Sequence, residues 1–217
     1  MFAATISLTP PHTFDPTWTR LKYPMTSRQP SSCLTIRPAI FPRDKQHVAT
    51  LFLAYAHSLP IDLSFQNFAS ELAALPGQYA AEERGAVFLA QTDSSVILLP
   101  QPSDVEQLHV RSASRTRGVE TVGCVAVRPF TSGAYSVLRT CELKRLYLAP
   151  AARGRGAAKL LVGAALQKAR ELEYEVMLLD TLGSMTAARR LYEGFGFREI
   201  ESYHQSVDGV VFYRLDL

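Results

Sequence analysis

Arg153-Gly154-Arg155-Gly156-Ala157-Ala158 is the stretch whose residue types and spacing suit a definite chemistry, the capture of a pyrophosphate. It follows an apolar run at 141–148 closed by Pro150, and it opens a segment with apolar residues at helical spacing. The first amides of a helix have no intrahelical acceptor and carry partial positive charge. Glycines let the main chain approach an anion closely and adopt conformations closed to other residues. Arg153 and Arg155 add formal charge, and together these features predict an anion cradle. It is not a P-loop, since no Gly-Lys-Ser/Thr follows, and the GxGxxG dinucleotide spacing is absent. An RGRG tract also occurs in RNA-binding tails and in plain turns; its position between a strand and an amphipathic helix favours the cradle.

Other reactive side chains are sparse. Cys33, Cys124 and Cys141 form an odd set without CxxC spacing, which favours reduced thiols over a disulfide framework. Cys124 and Cys141 lie in apolar, strand-like runs and read as small core residues. His204, beside Tyr203, could line a ligand pocket or act as a base, while a structural or solvated histidine is the plainer reading. No ligand set for a metal stands out, and no metal is expected.

The elements that must hold the cradle can be read from periodicity. A short strand closes at Pro38, and residues 43–58 place Val48, Leu51, Phe52 and Tyr55 at helical spacing. Residues 65–75 repeat that pattern with Phe68, Leu72 and Leu75 before Pro76-Gly77 ends it. Strands are expected at 86–90 and 120–127, with 93–118 as an insertion in the hairpin between them. After the strand at 141–148, a helix to Leu172 carries the stripe Leu161, Ala165, Ala169 and Leu172. A buried-type strand at 174–180, a helix at 184–193 and two strands at 198–204 and 210–215 complete the chain. This order predicts one α+β domain at 32–217, built on a mixed sheet. Residues 1–31, interrupted by five prolines, read as a disordered or loosely attached extension.

Two motifs at this separation resemble the GCN5-related N-acetyltransferase (GNAT) superfamily. Arg153, Gly156 and Ala158 fill its Gln/Arg-x-x-Gly-x-Gly/Ala signature. Leu191-Tyr192-Glu193-Gly194-Phe195-Gly196-Phe197 is similar to its second hallmark. Small-molecule-type members share wording with Glu142-Leu143-Lys144-Arg145-Leu146-Tyr147-Leu148 and with Leu179-Asp180-Thr181-Leu182. The resemblance implies the acyl-CoA N-acyltransferase fold, a mostly antiparallel twisted sheet flanked by helices. It also implies acetyl-CoA as co-substrate, held by residues 153–158 and by the main chain of Leu146, Tyr147 and Leu148, where an amide can support the oxyanion. Gly154, Arg155 and Ala157 complete that loop.

By the same resemblance an amine attacks the thioester directly in a ternary complex. Glu142 sits where several members supply a general base, and the alternative, a structural partner for Lys144 or Arg145, stays open. Tyr192 matches the tyrosine that protonates the departing thiolate. Met185 departs from the asparagine many members carry there. Phe65, Gln66, Tyr79 and His204 are candidate acceptor contacts, although Phe65 to Tyr79 also fits plain core packing.

Composition narrows the partners. A hydrophobic fraction of 47% with 20% charged residues is ordinary for a soluble domain, and a net charge of +3 is too small to argue for nucleic acid or membrane. RNA binding through Arg111, Arg115, Arg117 and the RGRG tract lacks the interleaved aromatics such binders show. The expected partner is a small-molecule primary amine; a protein lysine or N-terminal amine, a non-catalytic acyl-CoA sensor, and self-association into a homodimer remain alternatives. No convincing secretory signal is present, so the cytoplasm is the default location, with a weak organelle-targeting reading from Arg20, Lys22 and Arg28.

Overall fold

A computed structural model describes residues 34–63, 67–97, 115–135 and 139–217, with the backbone alone at 94–97, 115–117 and 134. The expected extension 1–31, Cys33, Phe65, Gln66, Arg111 and residues 98–114 of the expected insertion lie outside these. Within them the order is β1 (Leu34–Pro38), α1 (Lys45–His57), α2 (Phe68–Ala74), β2 (Ala86–Ile97), β3 (Arg115–Pro129) and β4 (Thr140–Leu148). Then come α3 (Ala157–Glu171), β5 (Val176–Leu182), α4 (Thr186–Gly194), β6 (Arg198–Ile200) and β7 (Val210–Asp216).

The strands form a seven-stranded sheet in the order β1-β2-β3-β4-β5-β7-β6. Every neighbouring pair is antiparallel except β4 and β5. This is the mixed, mostly antiparallel α+β architecture expected from the element order. Period-two alternation sends residues of β2, β3 and β4 to opposite faces, so each face needs its own cover. On one face Val125, Val127, Cys141 and Leu143 pack under the α3 stripe Leu161, Val162, Ala165 and Ala169. On the other, Val87, Leu89, Cys124 and Ala126 meet Val48, Leu51 and Phe52 of α1. Full burial of side chains such as Leu161 and Phe52 stabilises the fold by roughly 1.5–3 kcal/mol each.

Local chemistry fixes the element ends. Helix α3 stops in a Schellman arrangement: Glu173 takes the left-handed position (φ 56), the amide of Glu173 donates to the Arg170 carbonyl, and that of Tyr174 donates to Ala169. Before α1, buried Asp44 accepts two hydrogen bonds from Arg37 (2.6 and 3.0 Å) and one from the amide of Ile40 (2.7 Å), tying β1 to the helix start.

Two expectations need correction. Asp93 to Ile97 continues β2, registered from Asp93↔Val119 to Ile97↔Arg115, so the paired part of the hairpin runs into both ends of the insertion expected at 93–118, although Asp93-Ser94-Ser95 are turn-forming residue types. Cross-strand pairing and the β-branched Thr92, Val96, Ile97, Thr116 and Val119 override that local turn preference. The expected strand at 198–204 ends at Ile200, because β6 finds partners on β7 only from Arg198↔Arg214 to Ile200↔Phe212. Ser202, Tyr203 and His204 therefore stand in a connecting segment.

Candidate functional site

The site begins where the two parallel strands separate. β4 and β5 pair at Thr140↔Val176, Cys141↔Met177 and Glu142↔Leu178 and at no later position. Beyond, β5 stays with β7 as far as Leu182↔Val210, while β4 stays with β3 as far as Leu148↔Gly123. The main chain of residues 146–148 thus has no strand beside it on the β5 side, and an extended ligand carrying amides can pair there.

A bulge in β4 makes the parting possible. Between Cys124↔Tyr147 and Ala126↔Lys144, β4 carries one residue more than β3, and Arg145 adopts a left-handed backbone (φ 59). Such a conformation costs a non-glycine residue about 1–2 kcal/mol and needs support from its surroundings. Arg145 is anchored by α2: its Nε and Nη2 donate to Glu71 at 2.8 and 2.7 Å. The guanidinium also lies 5.1 Å from the Phe68 ring centroid and 5.7 Å from that of Tyr55. Burial alone would raise the pKa of Glu71, but the hydrogen bonds and charge of Arg145 outweigh it and hold the carboxyl ionised.

At the far end of the gap lies the glycine loop. Gly156 is the N-cap of α3 (φ 79) with no side-chain capping bond, and Gly154 is also left-handed (φ 74). A Cβ built on either would meet no protein atom within 4 Å, so both face open space. The first-turn amides have no side-chain cap and residues 153–156 are exposed, a setting in which helix-start amides can receive an anion. Arg153 folds back, its Nε donating to the Leu148 carbonyl at 3.0 Å, and thereby locks the loop to the end of β4.

A chain of buried charges borders the opening on the α1 side. Glu142 is 0% exposed. Its Oε2 accepts from Arg128 (Nε 2.8 Å, Nη2 2.6 Å) and its Oε1 from the Tyr203 hydroxyl (2.8 Å). Lys144 Nζ lies 2.6 Å from Asp180 Oδ1 and 3.5 Å from Glu142 Oε1. Burial pushes the pKa of both carboxylates up, yet the charges of Lys144, and for Glu142 also Arg128, prevail and lower them. Burial pulls Lys144 down, and the two acids more than restore it. One ring nitrogen of His204 and one oxygen each of Glu142 and Asp180 lie within 4.8 Å of one another. A cation could be shared at such spacing, and the Lys144 ammonium already stands between the two acids.

Tyr192 reaches the opening from α4. Its ring packs edge-on against Phe197 at 5.8 Å, and its hydroxyl has no hydrogen-bond partner among the described residues. Burial, with Tyr55 and Asp180 nearby, raises its pKa, so it remains a proton carrier. Beside it a cleft runs between the end of α1 and β5, lined by Tyr55, Leu59, Ile61, Leu63, Asp180 and Leu182 among others.

The structure therefore brings His204 beside Glu142 and Asp180, with Tyr192 buried near Asp180 and Tyr55, while residues 146–148 end β4 and residues 153–158 lead into α3. Arg145 is the partner of Glu71 and not of Glu142. Tyr79, expected as an acceptor contact, is 2% exposed, with its ring against Phe52 at 5.6 Å and its hydroxyl donating to Glu71 at 2.9 Å. It supports the Arg145 anchor and reaches no cleft, because the pairing of Glu71 with Arg145 draws it inward. Arg128, Asp180 and Tyr203 received no role from sequence, and Lys144 was named only as a structural partner of Glu142, which it is at 3.5 Å; a lone acid in the apolar run Leu179-Asp180-Thr181-Leu182 was the available signal.

A parallel pair that separates beside an uncapped helix start is the arrangement of an acyl-CoA site, and comparison with known proteins agrees. A profile of the acetyltransferase (GNAT) family matches residues 103–197. A Schizosaccharomyces pombe protein named as an uncharacterized N-acetyltransferase is 32% identical over 187 residues, 86% of this chain and 96% of that protein. A similarly named Dictyostelium discoideum protein is 28% identical over 201 residues, covering 78% of this chain and 93% of its own length. In fold, the Salmonella typhimurium protein YncA, solved with its cofactor acetyl-CoA, aligns with a TM-score of 0.57 at 17% identity over 84% of this chain and 93% of its own. The chain belongs to the GNAT acetyltransferase family. It is accordingly an N-acetyltransferase that draws its acetyl group from acetyl-CoA.

Proposed function

We propose that the chain acetylates the primary amine of a small molecule by direct attack within a ternary complex. The observation that carries this reading is the unpaired stretch of β4 between the uncapped start of α3 and the narrow cleft beneath α1. The residues suit acetyl-CoA: open glycine positions for the pyrophosphate, and β4 main chain at 146–148 past the end of its pairing with β5 for the amides of the pantetheine arm. When bound, the thioester supplies the electrophilic acetyl carbonyl.

This chain's residues supply the rest. A main-chain amide beyond the Arg145 bulge holds the developing oxyanion. Tyr192, kept protonated by burial, donates its proton to the departing sulfur. Glu142 belongs to the site as the anion that fixes Lys144, Arg128 and Tyr203. With its oxygens engaged and its pKa lowered, it is a poor direct proton acceptor. The amine enters from the cleft, where the carboxylate of Asp180 attracts an ammonium and Leu59, Ile61 and Leu63 contact its carbon body. No metal takes part in this scheme, and neither nucleic acid nor membrane is a partner. We place the protein in the cytoplasm; among the described residues no helix is long and apolar enough to cross a membrane.

The test is an acetyl-CoA-dependent thiol-release screen with product mass spectrometry over alkylamines, amino acids, polyamines, amino sugars, and peptides bearing lysine or a free N-terminus. A small amine gaining 42 Da at a higher kcat/KM than any peptide supports the proposal. Peptides as the best acceptors, or acetyl-CoA binding without turnover, would overturn it.

A further inference from the structure

The attacking nitrogen must lose a proton, and the two carboxylates nearest the opening are poorly placed to take it. Glu142 and Asp180 each hold a cation, at 2.6 Å in both cases, and are wholly ionised under working conditions. A third group stands beside them. Nδ1 of His204 is 2.8 Å from the main-chain oxygen of Gln205. A carbonyl oxygen can only accept, so Nδ1 must carry the hydrogen, and in the neutral ring this leaves Nε2 with an unshared pair. The ring is kept in place by edge contacts with Tyr203 at 4.7 Å and Phe212 at 5.1 Å.

From this geometry we infer that His204 is the general base of the transfer, a catalytic role that rests on the small-amine reading above. The acceptor's ammonium N–H bond breaks, its proton goes to Nε2, and the electron pair remains on nitrogen. That pair forms the C–N bond to the acetyl carbonyl, the C–S bond breaks, the sulfur leaves with its electrons and takes the Tyr192 proton, and the second proton lost from nitrogen restores the Tyr192 hydroxyl. The imidazolium left behind lies beside the carboxylates of Asp180 from β5 and Glu142 from β4, one oxygen of each being within 4.8 Å of a ring nitrogen. The hydroxyl of Tyr203, donated to Glu142, fixes the segment that carries the ring. The Gln205 carbonyl does for His204 what an orienting acceptor does for any catalytic imidazole: it sets the tautomer and aims the basic nitrogen.

The basicity of the acceptor provides the test. His204→Asn keeps a donor at the Nδ1 position and removes Nε2; His204→Ala leaves space for added imidazole. Against an alkylamine, which is almost wholly protonated near neutral pH, both variants should lose about 100-fold in kcat/KM. Against hydrazine, which is largely unprotonated there, the loss should stay below about threefold, and imidazole should restore the Ala variant at least tenfold on the alkylamine. Unchanged acetyl-CoA affinity by calorimetry verifies that the variants are folded. Equal losses on both nucleophiles, no rescue, or alkylamine rates within threefold of the parent would overturn the assignment of His204. A parent chain that is inert toward every amine would instead defeat the transferase reading, and His204 with it.

Discussion

Glu71 and Arg145 meet fork to fork, at 2.8 and 2.7 Å, across 74 residues of chain. This contact joins α2 to the one β4 residue whose backbone is left-handed. Both side chains are buried, at 5% and 1% exposure, so removing one deprives the other of a buried opposite charge. Glu71→Ala should therefore cost about 3–5 kcal/mol in a denaturant titration. It should also raise the KM for acetyl-CoA, because the bulge that parts β4 from β5 loses its anchor. A variant of parental stability would show that the pair is not what holds the bulge.

The glycines of the cradle permit a separation of stability from binding. Gly156→Ala places a methyl at φ 79, where a side chain costs about 1–2 kcal/mol, and the methyl meets no protein atom within 4 Å. It points where an anion would lie, so acetyl-CoA affinity should fall at least tenfold by calorimetry. Gly163→Ala, in the interior of α3 and equally free of contacts, is the control: up to about 1 kcal/mol more stable, with affinity unchanged.

Tyr192→Phe removes a hydroxyl without a partner among the described residues and keeps the ring contacts with Phe197 and Tyr213. Thermal stability should stay within about 1 kcal/mol of the parent. If Tyr192 protonates the sulfur, kcat should fall by around 10²–10⁴-fold with little change in acetyl-CoA KM. Turnover within threefold of the parent would remove it from the mechanism.

Acid sensitivity follows from Asp44. The hydrogen bonds from Arg37, with the Ile40 amide and against the opposing effect of burial, drive its pKa well below the ordinary carboxylate value. A depressed folded-state pKa contributes stability that is present above the unfolded value near 4 and is lost as pH falls below it. Asp44→Asn should thus be less stable than the parent at pH 7, by roughly 2–3 kcal/mol, and the gap should narrow steadily between about pH 4 and pH 2. Melting curves across that range decide it; a gap independent of pH would contradict the linkage.

How far the sequence reached can be judged residue by residue. The glycine turn ahead of α3 was legible because its signal is local: glycines, a preceding proline and an amphipathic helix all lie within one window. The expectation for the main chain at 146–148 came only through resemblance, since the separation of β4 and β5 depends on where pairing stops. The bulge at Arg145 carried no signal, as arginine has no preference for φ near 60° and is held there by Glu71, far away in sequence. Tyr79 stayed ambiguous for the same reason, its aromatic spacing being that of a pocket wall as much as of a core, and its burial fits the core packing the sequence also allowed. Arg128 and Tyr203, partners of Glu142 from β3 and from the segment after β6, became visible only once the sheet order brought them together. His204 stood out in sequence as an isolated histidine, and its tautomer became readable only from the carbonyl it faces.

Titration of the purified chain with acetyl-CoA in a calorimeter tests the central claim most directly. The account predicts one molecule bound per chain, with a dissociation constant on the order of 1 μM to 1 mM as is usual for enzyme substrates, and clear weakening by Gly156→Ala. No heat at millimolar ligand from folded protein, or identical binding by the parent and the Gly156→Ala variant, would contradict a cofactor seated on the start of α3.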